Sequence, residues 1–403
     1  MKHPVNGEEI GGWTPDLKLW LHEQALQAGF VTVGIAGVDT EDSTCAAHDI
    51  DAQRFAAWVE AGHAGEMEYL KRRDEQGVLL RSGVQVAIPW ARSVIVCSLN
   101  YNTSAPRSID PAPSDTGWIA RYAWSGRTPE NAAPENAAEE PGDLIPTDYH
   151  DQLLARLRHI EAAVQQRFAC ETRCYVDTGP IVERVVAAKA GVGWIGKNTC
   201  VINQGLGSWL LLGVVITSIP IESGVRFDIA ADRCGTCTRC IDACPTDALV
   251  APHQMDASRC IAYLTIEKKG PIAEELREPM GRQVFGCDIC QDVCPWNRRA
   301  VVSVNEGMLA RPQMVNPPLD WLAGMDAAEF KRWFKGSPVE RTRRKRLQRN
   351  VAIAMGNSGE RRFLTQLETW ATAEDPVLAD AAQWAIRRIR NLEARQVEAA
   401  VRS

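Results

Sequence analysis

The 403-residue sequence lacks any run of about 18 uninterrupted apolar residues, which argues against a helix that spans a membrane. It also lacks a basic N-terminal region followed by an apolar stretch, so we expect no secretory signal. The apolar run Trp209–Ile216 is short and is typical of a buried strand. We therefore expect a cytoplasmic protein without a membrane partner.

Motifs for the common nucleotide cofactors are missing as well. The sequence contains neither G-x-G-x-x-G nor a Walker A pattern, which disfavours binding of a nicotinamide or of a nucleoside triphosphate. The net charge of −6 gives no overall excess of positive charge, so any contact with nucleic acid has to come from a local basic patch. The length and the 45% hydrophobic content allow two or three domains with cores.

Cysteine, in contrast, is abundant: there are 13 in the chain, and they concentrate between 234 and 294. Disulfide frameworks are typical of small secreted proteins, so this clustering indicates a metal site. The segment Cys234–Pro245 reads C-x2-C-x2-C-x3-C-P, the run that bacterial ferredoxins use for [4Fe–4S] clusters. The segment Cys287–Pro295 repeats the pattern without its first cysteine, which Cys260 supplies.

In this arrangement the last cysteine of each run binds the cluster of the other run. Two structural zinc sites and reactive thiols are the alternatives, and the Cys-Pro endings together with the eighth ligand favour iron–sulfur. Cysteines outside these spacings are predicted to be small buried residues: Cys45, Cys97, Cys170, Cys174 and Cys200. The predicted ligands are Cys234, Cys237, Cys240 and Cys294 for one cluster and Cys244, Cys260, Cys287 and Cys290 for the other.

Helical and strand patterns alternate before the cysteines and predict an α/β domain over residues 1–225. An acidic, turn-rich insertion at 126–146 interrupts it and is expected to form a flexible loop. The cysteines define a second domain, 226–300. Predicted helices are Leu17–Gly29, Asp51–Ala61, Tyr149–Arg167 and Ile181–Ala190, and predicted strands are Val31–Ile35, Ser93–Leu99, Arg173–Asp177 and Ser208–Ile216.

Three amphipathic helices follow in residues 301–403 and resemble a HEAT-like unit. The first opens with six cations within nine residues, a strong local excess in an acidic protein. A solvated surface is the plain interpretation, and contact with a phosphate backbone is the functional one. The cations are Arg341, Arg343, Arg344, Lys345, Arg346 and Arg349.

Asp177 is the candidate catalytic residue. It follows a predicted strand and precedes Gly-Pro and a helix, and strand ends of α/β domains are where ligands bind. A carboxyl walled by apolar residues there would have a raised pKa and could deliver a proton. The alternative is an N-cap for the helix near Ile181, for which Asp177 is poorly placed. The glycines Gly191, Gly193, Gly196, Gly205 and Gly207 would let the backbone approach a bulky ligand.

Ordered motifs occupy the segments Asp177–Arg184, Lys189–Lys197, Cys234–Pro245, Arg259–Glu267 and Gly286–Asn297. Together they resemble epoxyqueuosine reductase, and the resemblance covers nearly the whole chain. The resemblance implies an α+β multidomain enzyme with a cobalamin-binding α/β domain, a ferredoxin-like domain with two [4Fe–4S] clusters and a helical tRNA-binding domain. It would reduce the epoxide of epoxyqueuosine at the tRNA wobble position to queuosine, with cob(II)alamin as the resting cofactor.

The resemblance also implies roles for single residues. Asp177 falls on the proton donor, and no histidine would bind the cobalt, since the motif at Asp148 lacks its final glycine. Ala262 stands where relatives often carry serine, which weakens any role for a hydroxyl there. The implied cobalamin neighbours are Arg72, Asp177, Lys197, Asn203, Ser208, Tyr263 and Thr265, and further RNA contacts are Lys268, Lys269 and Arg282.

Other functions remain open at this point. A reductive dehalogenase also joins a corrinoid to two clusters, but such enzymes usually carry a twin-arginine signal, which this sequence lacks. A non-catalytic electron carrier would not need 220 residues ahead of its clusters. An iron–sulfur tRNA-binding module without activity is the fourth possibility. For the enzyme, we expect an external electron donor and a monomer.

Overall fold

The computed structural model describes residues 11–38, 46–129 and 144–402. Cys45 and positions 130–143 of the predicted insertion lie outside the described residues. In the described ranges, no helix is both long and apolar enough to cross a membrane.

The strands are β1 Thr32–Gly37, β2 Ser93–Asn100, β3 Trp118–Ile119, β4 Ser125–Arg127, β5 Ile145–Pro146, β6 Thr172–Tyr175, β7 Trp194–Ile195, β8 Val201–Ile202, β9 Leu210–Thr217, β10 Gln283–Phe285 and β11 Leu309–Ala310. The helices of the first part are α1 Pro15–Gln27, α2 Ala46–Glu60, α3 Val84–Ala87, α4 Tyr149–Arg167 and α5 Glu183–Lys189. The later helices are α6 Arg239–Asp242, α7 Ile261–Ile266, α8 Glu274–Arg277, α9 Ile289–Asp292, α10 Leu319–Gly324, α11 Ala327–Phe334, α12 Arg343–Ser358, α13 Leu364–Ala371 and α14 Pro376–Arg402.

A four-stranded sheet in the order β1-β2-β9-β6 forms the centre of the N-terminal part. Every residue of β2 is buried, because helices cover both faces of the sheet. Successive side chains of a strand point to opposite faces. Ile95 and Cys97 accordingly share a core with residues of α1 and α4, while Val94 and Val96 share another with residues of α5.

The direction of the strands corrects one expectation from the sequence. Alternation of helices and strands indicated an α/β domain, but every pair in this sheet is antiparallel. The hydrophobic pattern specifies which residues face the core and carries no information about strand direction. The rule that places ligands at the strand ends of parallel sheets therefore does not locate the site of this protein.

The register of the sheet nevertheless gathers several loops at one end. Asn100 at the end of β2 lies opposite Leu210 at the start of β9. Tyr175 at the end of β6 lies opposite Val214, further along the same strand β9. The chain therefore leaves β2 and β6 at the end of the sheet where it enters β9. We call this the Tyr175 end of the sheet.

Strand pairing ties the cysteine-rich part to the rest of the chain. Strand β10 pairs in parallel with β3, and β11 pairs antiparallel with β4. One continuous core contains Trp118, Phe285 and the apolar faces of α12, α13 and α14. The predicted segments 1–225, 226–300 and 301–403 therefore share a core at these contacts.

A buried polar pair joins α12 to the cysteine-rich part. Arg349 is 1% exposed and donates to the main-chain carbonyls of Leu264, Lys268 and Gly270 at 2.6–2.8 Å. The adjacent Asn350 donates to main-chain carbonyls of α7 and β10 at 2.9 Å each. These bonds satisfy carbonyls that the end of α7 leaves without helical partners. The prediction that Arg349 contacts RNA phosphates is therefore wrong, because tertiary packing uses its guanidinium.

Candidate active site

Three cysteines of the first run and the last cysteine of the second form one group. Burial, followed by the charges of Cys234 and Cys237, raises the pKa of the Cys240 thiol. The pKa of the Cys294 thiol is raised to about 11, first by burial and then by Cys234 and Cys240. These four thiols are therefore neighbours, although Cys294 is far from the others in sequence.

The remaining four ligand candidates form the second group. The pKa of the Cys287 thiol is raised well above its ordinary value by burial and then by the charges of Cys260 and Cys244. Cys290 lies beside Cys287 and Cys260. No three His, Cys, Asp or Glu side chains in the described ranges are close enough to hold a single metal ion. A [4Fe–4S] cube does not require this, because each of its four irons binds one thiolate.

Lys197 and Asn198 hold the main chain of both cysteine groups. The Nζ of Lys197 donates to the carbonyls of Gly235 at 2.6 Å and Cys237 at 3.1 Å. The Nδ2 of Asn198 donates to the carbonyl of Cys290 at 3.3 Å. Lys197 was expected beside a corrinoid, and the structure instead directs its ammonium group to the loop of the first cysteine group.

The cysteines outside the two groups differ from one another. Cys97 is buried, and Cys170 and Cys174 are half-buried, in agreement with a packing role. Cys200 differs, since its side chain hydrogen-bonds the side chain of Cys290. Sequence spacing gave no signal for this contact, because Cys200 lies 90 residues before its partner.

Asp177 lies two residues beyond β6, at the Tyr175 end of the sheet. Its φ of +55° is rare for a residue other than glycine, and aspartate is among those that tolerate it best. Its side chain is exposed, and one carboxylate oxygen accepts a hydrogen bond from the Tyr149 hydroxyl at 2.5 Å. Helix α5 begins at Glu183 with Val182 as its N-cap, which rules out the alternative of Asp177 as the cap.

Tyr149 connects Asp177 to the C-terminal helices. Burial, followed by the charge of Asp177, raises the pKa of Tyr149, so this hydroxyl remains a donor. The Arg341 guanidinium lies 5.2 Å from the Tyr149 ring centroid and pairs with Asp148 at 2.6 Å. Arg341 also donates to Nδ1 of His150. A cation predicted to bind RNA therefore lies next to the candidate acid, and the histidine is held by protein groups.

A second carboxyl faces the same space. Burial, followed by the charge of Asp177, raises the pKa of Glu183 to about 7, against the opposing effects of Arg81 and Arg184. Its Oε1 is buried, and within the described ranges it has no hydrogen-bond partner. A carboxyl with this pKa is partly protonated at neutral pH, so it can hold and release a proton there.

Tyr69 lies close enough to both carboxyls to feel their charge. Partial burial, followed by the charge of Glu267, raises its pKa to about 12, and Asp177 and Glu183 contribute in the same direction. Arg81 lies over the Tyr69 ring, 5.7 Å from its centroid. Contacts and charges link Tyr69, Arg81, Tyr149, Asp177 and Glu183 to one another, and we call this group of side chains the Asp177 cleft.

Two predicted cofactor neighbours lie on the Tyr69 side of the chain. Arg72 is exposed, three residues after Tyr69, and its side chain has no hydrogen bond or ion pair to described residues. Tyr263 is buried, and its hydroxyl accepts the amide N–H of Glu66 at 2.8 Å. Its ring packs under Gly65, where a Cβ would lie 2.6 Å from the ring. Arg72 is therefore available to a ligand, while Tyr263 supports the loop above it.

Three other predicted neighbours are engaged within the protein. Thr265 is fully buried, and its hydroxyl donates to the carbonyl of Ile261 at 2.7 Å. The amide nitrogen of Asn203 donates to a main-chain carbonyl, and its oxygen accepts two amides of its own turn. The buried Ser208 hydroxyl accepts from Gln291 and Asn297. Thr265 and Asn203 therefore have no free group for a cofactor, and the Ser208 hydroxyl is buried against Gln291 and Asn297.

The glycines of this region also serve the protein's own packing. A Cβ on Gly193 would lie 2.3 Å from the carbonyl oxygen of Ile202. On Gly207 it would lie 2.3 Å from Oδ1 of Asn297. For Gly193 and Gly207, the expectation of room for a bulky ligand is therefore corrected: these two glycines allow close contact between neighbouring segments.

A cavity of about 680 Å³ lies at the Tyr175 end of the sheet. Leu99, Asn100 and Leu206 line it, together with Arg156 of α4 and the 301–307 segment. Burial lowers the pKa of the Arg156 guanidinium. Its Nη2 donates to Oδ1 of Asn305, in the 301–307 segment, at 2.7 Å. Its Nε is buried and, among the described residues, has no acceptor. A buried donor without an acceptor marks a place where a ligand oxygen would be stabilised.

The basic segment at the start of α12 divides into exposed and engaged side chains. Arg343 and Lys345 are exposed, and Arg344 is half-exposed. Arg346 donates to the main-chain carbonyls of Thr342 and Ile266 at 2.8 and 2.6 Å. The cationic surface therefore consists of Arg343, Arg344 and Lys345, of which Lys345 lies 3.7 Å from Asp375.

The three cations predicted elsewhere also differ in availability. Lys268 pairs with Glu66, and Lys269 beside it is exposed. Arg282 is half-buried and donates to main-chain carbonyls of the 112–116 loop. Lys269 is the one of the three whose charge the structure leaves fully to solvent.

The sequence interpretation missed two groups of the Asp177 cleft. Tyr149 was noted only as part of a motif, and its position at the start of a regular amphipathic helix was the available signal. Glu183 carries no signal in its own neighbourhood, because its environment is formed by Arg81 and Asp177 from other segments.

Comparison with known proteins gives a consistent result. A family model described as "Epoxyqueuosine reductase QueG, DUF1730" matches residues 81–178, and a "4Fe-4S double cluster binding domain" matches residues 233–297. The epoxyqueuosine reductase of Xanthomonas campestris pv. campestris is 34% identical over 370 residues, covering 90% of this chain and 93% of the relative. That of Escherichia coli K12 is 33% identical over 92% of this chain and 88% of its own length.

Solved structures agree with these relatives. One is a crystal structure of an epoxyqueuosine reductase with an epoxyqueuosine-modified tRNA-Tyr stem loop. It matches with a TM-score of 0.76 at 30% identity, over 93% of this chain and 90% of that chain. The structure of the Bacillus subtilis enzyme, with its catalytic aspartate loop swung out of the active site, matches with a TM-score of 0.74 at 29% identity, over the same shares.

The raised pKa of Glu183 predicts a specific pH dependence of stability. Its contribution is fully present below the ordinary pKa of 4.5 and is lost as the pH rises through about 7. Because glutamine stays neutral, Glu183→Gln should gain stability relative to the parent protein between pH 6 and pH 8.5, by about 1.4 kcal/mol. Apparent Tm values from circular dichroism at the two pH values measure this. Glu222→Gln, at an exposed position, is the control, and an equal Tm difference at both pH values would contradict the assignment.

Proposed function

The chain belongs to the epoxyqueuosine reductase family, and from this we propose that it reduces epoxyqueuosine in tRNA to queuosine. The observation that carries the proposal is the combination of two cysteine groups for [4Fe–4S] clusters with an exposed aspartate that is bonded to Tyr149 and lies near a second carboxyl, Glu183. Family membership also separates it from a reductive dehalogenase. An electron carrier would have no use for the Asp177 cleft.

The reaction converts an epoxide into an alkene and water. Both C–O bonds break, one C=C bond forms, and two electrons and two protons are taken up. Each [4Fe–4S] cluster passes one electron at a time, so two clusters can store the electrons of one turnover. The protein therefore has to bring two reducing equivalents and two protons to a single site.

Protons are the part of the reaction that the Asp177 cleft can supply. We assign to Asp177 the delivery of a proton to the oxygen that leaves the epoxide carbon. Tyr149 donates to the Asp177 carboxylate and holds the turn in place. Glu183, with a pKa of about 7, can hold the second proton and return it to the cleft. The catalytic aspartate of the Bacillus subtilis relative also lies on a loop, which supports Asp177 as its counterpart.

Cobalamin is the cofactor that the family implies, and the Tyr175 end of the sheet has features that fit it. Bound cobalamin would supply a low-valent, strongly reducing cobalt centre, which the protein side chains lack. Its nucleotide tail carries a phosphodiester, and the unpartnered Nε of Arg156 offers this group a cationic donor. The exposed Arg72 is a second candidate contact beside the cleft.

We propose that the three predicted domains of the chain have different roles. Residues 1–225 would bind cobalamin and carry the acid, 226–300 would form a ferredoxin-like unit with both clusters, and 301–403 would be a HEAT-like tRNA-binding unit. The exposed cations Lys269, Arg343 and Lys345 would contact tRNA phosphates. A monomer in the cytoplasm, supplied by an external electron donor, suffices for this chemistry.

The central test of the acid is Asp177→Asn. The variant should retain its iron and bind cobalamin, because asparagine keeps the size of the side chain. It should convert epoxyqueuosine in tRNA at least about 100-fold more slowly, since it cannot deliver a proton. Anaerobic assays with and without cobalamin, read by nucleoside mass spectrometry, measure this. Asp16→Asn, at an exposed position of α1, is the control, and undiminished activity of the Asp177 variant would remove Asp177 as the acid.

The cobalamin assignment is tested by binding alone. Arg156→Gln removes a cation that we place at the phosphodiester, and a charge-assisted hydrogen bond contributes about 1.5–3 kcal/mol. The dissociation constant for cobalamin, from absorbance titration, should therefore rise at least about 10-fold. Arg158→Gln changes an exposed arginine of the same helix and should leave binding unchanged. Equal affinities of the two variants would reject Arg156 as a contact.

The tRNA surface is tested by charge reversal. Arg343→Glu with Lys345→Glu should weaken binding of an anticodon stem loop and reduce the dependence of its affinity on salt, because fewer counterions are released. The matched control is Arg54→Glu with Arg226→Glu, two exposed arginines far from α12 in sequence. Filter binding at several salt concentrations gives both quantities. If the two double variants bind alike, the segment is solvated surface.

A further inference from the structure

The loops around the first cysteine group reach the protein surface. The residues that flank Cys234, Cys237 and Cys240 are mostly exposed. In the second group, the neighbours of Cys260 and Cys287 are mostly buried or half-buried. An electron that enters from outside therefore has its shortest route through the first group.

A pocket of about 400 Å³ opens beside this group, between α6 and α9. Arg239 precedes the ligand Cys240 directly, and Val293 precedes the ligand Cys294 directly. Two residues that line the pocket are therefore direct sequence neighbours of two predicted ligands of the first cluster. Six of the residues that line the pocket are Arg107, Ile109, Arg239, Asp242, Val293 and Arg298.

The charges around this pocket are unevenly compensated. Arg107 pairs with Asp110 at 2.6 Å. The side chains of Arg239 and Arg298 are exposed and have no hydrogen bond or ion pair to any described residue. Two uncompensated guanidinium groups are a distinct local feature in a chain with a net charge of −6. Asp242 is the exposed acidic group among them, and the Thr238 hydroxyl donates to it at 2.8 Å.

The remaining acid of the pocket contributes little charge to its surface. Asp292 is 4% exposed and accepts the amide and the hydroxyl of Ser108 at 2.8 and 2.5 Å. Ile109, which also lines the pocket, presents an apolar side chain that is 42% exposed. An exposed apolar side chain together with arginines is a common composition of protein interfaces.

We propose that this surface, which we call the Arg239–Arg298 patch, docks an acidic protein that carries one electron at a time. Carboxylates of the carrier would pair with the two free guanidinium groups, and its redox centre would approach the first cluster. One reduced carrier is oxidised by one electron as the cluster is reduced by one, and two such encounters supply one turnover. Redox encounters of this kind bury small interfaces, so a patch of this size is sufficient.

The proposal rests on the proposed function only because that reaction consumes electrons, and its test needs neither tRNA nor cobalamin. Reduced flavodoxin is the acidic probe, and bleaching of cluster absorbance in anaerobic stopped-flow gives the rate of reduction. With the parent protein, this rate should fall steeply as salt is added. Arg239→Glu with Arg298→Glu should slow it at least about 10-fold at low salt and remove most of the salt dependence. Reduction by dithionite should be unchanged in both proteins.

Controls separate the possible outcomes. Arg343→Glu with Lys345→Glu should leave reduction by flavodoxin unchanged, while the patch variant should keep its tRNA affinity. Replacement of Arg239 next to the ligand Cys240 can disturb the cluster itself. Arg298→Gln alone, with the iron content measured, tests the patch without this disturbance, and it should slow reduction by flavodoxin by a smaller factor. An unchanged rate of reduction by flavodoxin in variants with full iron content overturns the proposal. If the patch variant loses tRNA affinity while flavodoxin still reduces it at the parent rate, the patch belongs to the RNA surface, and the proposal is overturned as well.

Discussion

Two [4Fe–4S] clusters need eight thiolates, and the structure brings cysteines of three separate segments into two groups of four. The loops that carry them are held from two sides. Lys197 and Asn198 bond their main chain from the N-terminal part, and Arg349 and Asn350 hold the end of α7 from the C-terminal part. Both contacts use main-chain carbonyls, so they position the loops without competing for the thiolates. The N-terminal sheet and the C-terminal helices are thereby fixed to the cysteine-rich part.

In the proposed function, protons and electrons reach the reaction through different parts of this arrangement. The Asp177 cleft contains two carboxyls in different environments: Asp177 is exposed and bonded to Tyr149, whereas Glu183 is largely buried, with one oxygen unpaired. Burial makes Glu183 a group that holds a proton at neutral pH. The cysteine groups hold electrons and lie partly at the surface. An enzyme that adds two protons and two electrons to its substrate can therefore replenish the protons and the electrons independently.

Local spacing was sufficient to predict the features that depend on neighbours in sequence. The cysteine runs, the helix Tyr149–Arg167 and the buried strand β2 all follow from patterns within about 20 residues. The predictions that failed concern residues whose availability depends on contacts that local spacing does not show. Arg349, Lys197 and Thr265 looked available because the groups that engage them come from other segments or from the fold of their own helix.

Strand direction and the role of the glycines were missed for a related reason. The hydrophobic pattern of a strand is the same in either direction. Glycine is required at position 193 because the main chain of Ile202 lies so close to it, and a sequence does not show this contact. Tyr149 and Glu183 gain their chemistry from Asp177, Arg341 and Arg81. The position of Asp177 was predicted, but the reasoning from parallel sheets that led to it was not valid for this antiparallel sheet.

The central claim is that the electrons for the reaction are stored in this chain. A single-turnover experiment tests it most directly: the cobalamin-loaded protein is reduced anaerobically, freed of excess reductant by gel filtration, and mixed with tRNA that carries epoxyqueuosine. We predict about one queuosine per chain, formed while the cluster absorbance returns to that of the oxidised state. Queuosine that forms only while an external donor is present, with the clusters still reduced after mixing with tRNA, would contradict the account.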